Sequence, residues 1–392
     1  MKLRALTIGL ALSFPLLASA QTDTSVTLYG VIDTGIEFVN KIPDSTGGSH
    51  SSVHFTNLTS SWPSYWGLRG TEKINDNLSA IFTLESGFNP GTGTSQQGGR
   101  FFGRQAFVGL KGDWGQVAFG RQYNMLMRSL LKADFMGPND YGLGTIDSYI
   151  PNTRMDNAIT YMGHFSGVSV GLAYARGRDN VTTGGPAASN CGVEYTAQSA
   201  CSAYSAMLSY DASNWGVAGA YDVITGSDKT TTTDGVTSLN NFYGLQQGQK
   251  DRRFTVNGYF KPTDDFKVSL IYINRKTDAD KGIRAGNFGQ AGLGNRSDIY
   301  TLDASYNVAP QVVIDGSANY IKFNNADTSS NAWYFVARAK YLLSKRTYAY
   351  AEVAYIKNKG NSTISASSAT AGLYTTPGGN QTSALVGLRH NF

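Results

Sequence analysis

Residues 26–38 alternate without a break. Val26, Leu28, Gly30, Ile32, Thr34, Ile36 and Phe38 fall on one side of an extended chain, and Thr27, Tyr29, Val31, Asp33, Gly35 and Glu37 on the other. Successive strand side chains point to opposite faces, so this is a long strand whose second face meets something wet enough for two carboxylates. The pattern recurs as Phe254-Val256-Gly258-Phe260 against Arg253-Thr255-Asn257-Tyr259, and as Tyr300-Leu302-Ala304-Tyr306 against Thr301-Asp303-Ser305-Asn307. Trp333-Phe335-Ala337-Ala339-Tyr341 likewise opposes Tyr334-Val336-Arg338-Lys340. After Gln21 polar or glycine residues interrupt every apolar stretch well before the roughly 20 residues a membrane helix needs. If this chain crosses a membrane, it crosses as strands.

In a soluble sandwich the apolar face would be the core. The placing of the aromatics argues against that reading. Tyr204-Ala206-Leu208-Tyr210 and Trp215-Val217-Gly219-Tyr221 carry aromatics at both ends of the apolar face and small or aliphatic residues between. That distribution fits the interfacial girdles of a lipid-facing barrel. The composition, with 45 Gly, 23 Tyr and 19 Phe but only 10 Pro, is strand-and-turn chemistry.

The connections alternate in length. Short turns are expected at 73–77, 112–115, 165–167, 212–214, 263–265, 309–311 and 343–346. Long polar loops are expected at 40–63, 89–103, 122–156, 176–202, 224–251, 276–296, 324–331 and 358–382. Seven turns and eight loops make fifteen connections, hence sixteen strands, and no linker divides the chain into domains. An all-β, 16-stranded antiparallel transmembrane barrel follows, closed so that no strand edge faces lipid unpaired. Phe392 shares parity with Leu388, Val386 and Ala384, so the chain is expected to end as an ordered strand anchored at an interface.

Lys2, Arg4, the apolar run Ala5 to Leu17 and Ala18-Ser19-Ala20 read as a signal peptide over 1–20, too short in its apolar part to span a bilayer. The barrel then occupies 21–392. The formal charge of +5 includes Lys2 and Arg4, which leaves +3, too mild to imply nucleic acid. Cys191 and Cys201 are the only cysteines, in one expected external loop. Export through an oxidising compartment predicts a disulfide between them, checked by thiol alkylation without reductant.

Enzymatic and metal chemistry find little support. His50 and His54 lie four apart in a Ser/Gly-rich loop without further ligands, so no metal site or cofactor is expected. His164 falls in a short turn, on the side away from the long loops, where it is a poor general base for external substrates. No phosphate-binding glycine motif is present. A loop-mediated adhesin or receptor barrel remains an alternative, as does a narrow, solute-specific channel.

Several segments together resemble the betaproteobacterial general trimeric porins of Gram-negative bacteria. They are Val26-Thr27-Leu28-Tyr29-Gly30, Trp66-Gly67-Leu68-Arg69-Gly70-Thr71-Glu72, Arg104-Gln105-Ala106-Phe107-Val108-Gly109-Leu110 and Phe119-Gly120-Arg121-Gln122. Leu343-Ser344-Lys345-Arg346-Thr347 and Gly387-Leu388-Arg389-His390-Asn391-Phe392 complete the set. The resemblance implies a homotrimer in the bacterial outer membrane, among its lipid and lipopolysaccharide, passing small hydrophilic solutes and ions passively. It also implies a third loop, 122–156, folded into the lumen. Arg69 points inward by parity with lipid-facing Trp66 and Leu68, and family position puts Arg104 and Arg154 in the lumen. Asp134, Asp140 and Asp147 on the third loop would oppose these arginines at the constriction, with weak anion preference. Where family members carry Arg after the Ser opening the second strand, this chain has Tyr65, and the Pro-Glu-Phe-Gly-Gly of enterobacterial third loops is absent. Arg121 has the parity of outward Val117 and Phe119, so the strand either ends there or holds a bulge.

Overall fold

The computed structural model describes residues 24–56, 61–137, 140–147, 154–176, 202–226, 230–233, 236–239, 245, 248–279, 282–283, 293–324, 329–368 and 373–392. The proposed signal 1–20 and both Cys191 and Cys201 lie outside the described residues.

In chain order the strands are β1 (Ser25–Pro43), β2 (Ser49–Thr56), β3 (Tyr65–Asn75), β4 (Leu78–Gly87), β5 (Gln105–Gly112) and β6 (Gly115–Tyr123). Then come helices α1 (Met125–Leu130) and α2 (Leu143–Ile146), followed by β7 (Arg154–Phe165), β8 (Val168–Arg176), β9 (Ser202–Asp211) and β10 (Trp215–Thr225). A separate hairpin, β11 (Thr230–Thr233) with β12 (Val236–Leu239), precedes β13 (Lys250–Phe260), β14 (Phe266–Thr277), β15 (Arg296–Ala309) and β16 (Val312–Asn324). The last are β17 (Asn331–Leu342), β18 (Thr347–Lys359) and β19 (Asn380–Asn391). Each barrel strand pairs antiparallel with its neighbours, and β1 pairs with β19 to close the sheet. β2 and β3 both lie along one edge of β1, Thr56 opposite Gly35 and Tyr65 opposite Val31, so they share one of sixteen positions around the barrel.

The outer face is apolar. Val26, Leu28, Ile32, Ile36 and Phe38 are exposed, whereas Asp33 and Glu37 on the other parity are fully buried. Aromatics in cross-strand register form a belt near the long-loop ends. Tyr272 meets Tyr300 with ring centroids 5.2 Å apart, and Tyr320 meets Trp333 at 4.7 Å. Phe266 with Tyr306, and Tyr210 with Trp215, mark the short-turn ends. Two aromatic rims around an aliphatic band suit a slab of hydrocarbon between two polar interfaces.

The barrel's seam is closed by the terminal residue. Gly30 N–H donates to the Phe392 carbonyl at 3.0 Å, and Phe392 N–H donates to the Gly30 carbonyl at 3.1 Å. A Cβ on Gly30 would stand 2.5 Å from the Phe392 ring and 2.6 Å from the Tyr65 carbonyl. The space that glycine leaves is filled from within the same barrel.

Two local features depart from the sequence expectation. Residues 40–63 were expected as one loop, but β1 runs on to Pro43 and β2 returns from Ser49. A tight turn joins them, with the Asp44 carboxylate accepting from Thr46 N–H at 2.9 Å and Gly48 N–H at 2.8 Å. Outward Val53 and Phe55 continue the dyad through a Ser- and His-rich stretch whose composition disguises it. The second feature lies beside Arg121. The β6–β7 register slips between Gly120 and Gln122, where β7 carries one extra residue and Gly120 has φ +126°; Arg121 is buried there, donating to the Gly103 carbonyl at 2.8 Å.

Candidate functional site

The described parts of the third loop, 124–137 and 140–147, lie against wall side chains. Asn124 caps α1 by accepting from Met127 N–H at 2.9 Å, and its amide donates to Asp222 on β10 at 2.7 Å. Met125, Leu126, Met127 and Leu130 are buried, in one cluster with wall residues Ala173, Ala203, Met207 and Ala220. This inner wall is unusually apolar for a water-filled barrel. It gives the loop a hydrophobic seat.

Beyond α1 polar contacts pin the chain. Arg338 on β17 donates to the carbonyls of Phe135 at 2.7 Å and Met136 at 3.1 Å, while holding Asp315 at 2.8 Å. Phe135 N–H donates to Asp303 at 3.0 Å. Tyr141 donates to Glu37 at 2.7 Å, fastening the loop to β1.

Residues 61–64, just before β3, also meet the third loop and the groups that hold it. Ser64 Oγ accepts from Asp33 N–H at 3.0 Å and donates to the Asp33 carbonyl at 2.9 Å, standing in for backbone pairing where the strand is broken. Ser61 Oγ accepts from Arg338 at 3.0 Å. A Cβ on Gly137 would meet the Ser61 carbonyl at 2.6 Å, so this segment and the third loop touch.

Arg104 and Arg154 come together at the Tyr123 hydroxyl. Arg104 donates to the Tyr123 hydroxyl at 2.8 Å, and Arg154 approaches the same oxygen at 3.5 Å. The Arg104 guanidinium lies 4.4 Å from the Tyr65 ring centroid and 5.6 Å from that of Trp62, while Arg154 lies 5.2 Å from that of Tyr123. Tyr65, the departure from the family pattern, thus supplies a π face in place of another cation. Arg121 joins the group through Asp156, which also binds Arg100 at 3.1 Å. Arg69 stands apart. It is exposed among Asp76, Asn77 and Lys111 at the short-turn mouth, over the Tyr29 ring at 5.0 Å.

The three acids do not face these arginines as a set. Asp147 is paired with Arg253 at 3.2 Å and Arg275 at 3.6 Å. Asp140 accepts from Ser367 Oγ at 3.1 Å, Ser368 N–H at 3.0 Å and Thr56 Oγ1 at 3.2 Å. Burial, with Glu37 alongside, holds its carboxyl well above the usual range. Asp134 caps the loop's own Gly137 N–H at 2.9 Å, and burial raises it to about 6. Sequence reasoning did not single out Tyr123, Trp62 or Arg338 as lumen groups. Parity placed Arg338 on the wet face, but which loop atoms it meets is a tertiary property without a sequence signal.

His54 lies 3.0 Å from the Glu37 carboxylate, and His164 hydrogen-bonds Ser169 at 3.0 Å. Among the described residues no three His, Cys, Asp or Glu side chains converge as metal ligands.

Comparison with known proteins accords with this architecture. The sequence profile of Gram-negative porins matches residues 5–361. An outer membrane porin protein of Bordetella pertussis is 32% identical over 87% of this chain and 91% of its own length. Outer membrane porin protein 32 of Delftia acidovorans is 27% identical over 95% and 96%. Among solved structures, the anion-selective porin from Comamonas acidovorans superposes with a TM-score of 0.70 at 24% identity, covering 94% of this chain and all of that one. A trimer form of OmpT, an outer membrane protein of Vibrio cholerae, gives 0.63 at 14% identity over 94% and 99%. With the closed sixteen-stranded wall, its apolar exterior and its charged lumen, these matches show that the chain belongs to the Gram-negative porin family, forming an outer-membrane channel for passive diffusion and not an enzyme.

Proposed function

We propose that the channel favours anions weakly, and that Arg104 and Arg154 carry the preference. The supporting observation is an imbalance of partners. Among the described residues Arg104 Nε and Nη1 and Arg154 Nε have no hydrogen-bond acceptor, although Glu85 lies 3.7 Å from Arg104 Nε. Asp147 and Asp140 on the loop are already held by Arg253, Arg275 and hydroxyl groups. Donors with spare capacity in a confined, poorly screened space lower the cost of bringing in an anion. The Comamonas porin described as anion-selective shares this fold. Selection of this kind acts by size and charge and needs no tight binding.

Replacing Arg104 and Arg154 with Gln should move the zero-current potential in a salt gradient toward cation preference. Asp147→Asn, which relieves Arg253 and Arg275 of a countercharge, should move it the other way. Folded double-Gln channels that keep the parental reversal potential would assign these arginines to wall solvation.

The same reading includes cleavage after residue 20, a Cys191–Cys201 disulfide, contact with lipid and lipopolysaccharide, and a homotrimer. The trimer form of the Vibrio protein with this fold supports the last point. Analytical ultracentrifugation in mild detergent that finds only monomer would remove it.

A further inference from the structure

A cavity of about 200 Å³ lies between α1 and the inner wall, on the short-turn side of the helix. Its walls include Leu131, Met162, Met207 and Ala218, with Arg128 from α1 and Asn257 from β13. The recess thus pairs an apolar wall with polar groups, which include Ser129, Lys132, Ser169 and Ser209. A cavity of roughly 150 Å³ is enough for a benzene-sized molecule.

Arg128 is the unusual member. Among the described residues it has no carboxylate within ion-pair distance, and its buried Nε has no acceptor. Asn257 Nδ2 is likewise buried without an acceptor. The acid on the rim, Asp211, is already neutralised by Lys132 at 2.7 Å and takes a hydrogen bond from Tyr259 at 2.9 Å. A cation without a partner beside apolar walls suits a ligand with one anionic end and a short hydrocarbon body. An ammonium group would find no free carboxylate among the described lining residues.

We propose that this recess binds short aliphatic monocarboxylates, with Arg128 taking the carboxylate and Met162, Met207 and Ala218 enclosing the chain. The inference rests on the channel reading, because solutes would reach the recess through the short-turn mouth. It adds a retention step for one class of solute to otherwise non-specific diffusion. A molecule lodged there lies beside the third-loop helix and would obstruct the ion path.

Hexanoate and acetate serve as probes, by titration calorimetry on the detergent-solubilised full chain and by conductance in planar bilayers held in KCl. Hexanoate should bind measurably and reduce the current, at concentrations at least tenfold below those acetate needs. Arg128→Gln should weaken hexanoate at least tenfold. Ala218→Leu, which fills the recess and leaves Arg128 in place, should do the same and decides the matter if the first variant fails to fold. Equal behaviour of the two acids, or hexanoate binding that survives in Ala218→Leu, would overturn the proposal. KCl conductance without hexanoate binding defeats the recess alone. Hexanoate binding without any KCl conductance supports the recess and defeats the channel reading.

Discussion

Arg338→Gln tests how the third loop is held. One guanidinium, 2% exposed, donates to the Phe135 and Met136 carbonyls and to Ser61, and faces Asp315 at 2.8 Å and Glu352 at 3.5 Å. Its removal leaves Glu352 without the cation that faces it and Asp315 with Lys340 alone, at 2.9 Å. Breaking a buried pair from one side costs about 3–5 kcal/mol, and the partial hydration of a lumen places this case near the lower end. Three carbonyl and hydroxyl acceptors on the two inward segments lose their donor as well, at about 1.5–3 kcal/mol for each hydrogen bond to a charged group before water replaces it. The apolar seat of α1 is untouched, so the loop should stay inside the barrel while its 133–137 stretch loosens. Single-channel recording should then show larger, noisier openings, and the folded form should melt at lower temperature by gel shift. Arg338→Lys keeps the charge near Asp315 but not the fork to two carbonyls. It should recover most of the melting temperature and little of the quiet conductance. Parental noise and conductance in Arg338→Gln would refute the view that this residue pins the loop.

The remaining predictions address closure and pH. Gly30→Val puts a side chain where the Phe392 ring and Tyr65 carbonyl already stand, so refolding yield should fall sharply, while Gly316→Ala, whose Cβ would meet nothing nearer than the Val336 carbonyl at 4.0 Å, should not affect barrel closure. Asp134, raised to about 6 by burial, binds more protons folded than unfolded between about pH 4 and 6, so its contribution to stability declines as pH rises through that window. The melting-temperature difference, Asp134→Asn minus wild type, should therefore grow from pH 4 to 7; a flat difference would show that Asp134 is hydrated.

The period-two signal made the barrel legible because lipid outside and water inside impose opposite chemistry on alternate residues. Asp33 and Glu37 inside, Ile32 and Ile36 outside, needed no tertiary information. The returning strand at Ser49–Thr56 was hidden because Ser and His carry little apolar signal. The break before Tyr65 was hidden because Ser64 replaces backbone pairing through its side chain. Parity gave Arg69 its direction but not its height along the wall, and height separates it from Arg104. For Arg121 parity signalled an irregular strand end, and the register slip beside Gly120 is that irregularity. For Asp140 and Asp147 residue type and loop position were readable, but their partners Ser367 and Arg253 lie 227 and 106 residues away in the chain.

A channel of this kind is a continuous aqueous path through a barrel whose inner wall seats an apolar loop. Purified protein added to a planar lipid bilayer in KCl gives the most direct test. Discrete conductance steps, linear in voltage at low potentials, are expected, with a reversal potential in a salt gradient on the anion side. A folded, heat-modifiable barrel that inserts and leaves the membrane at its baseline current would contradict it.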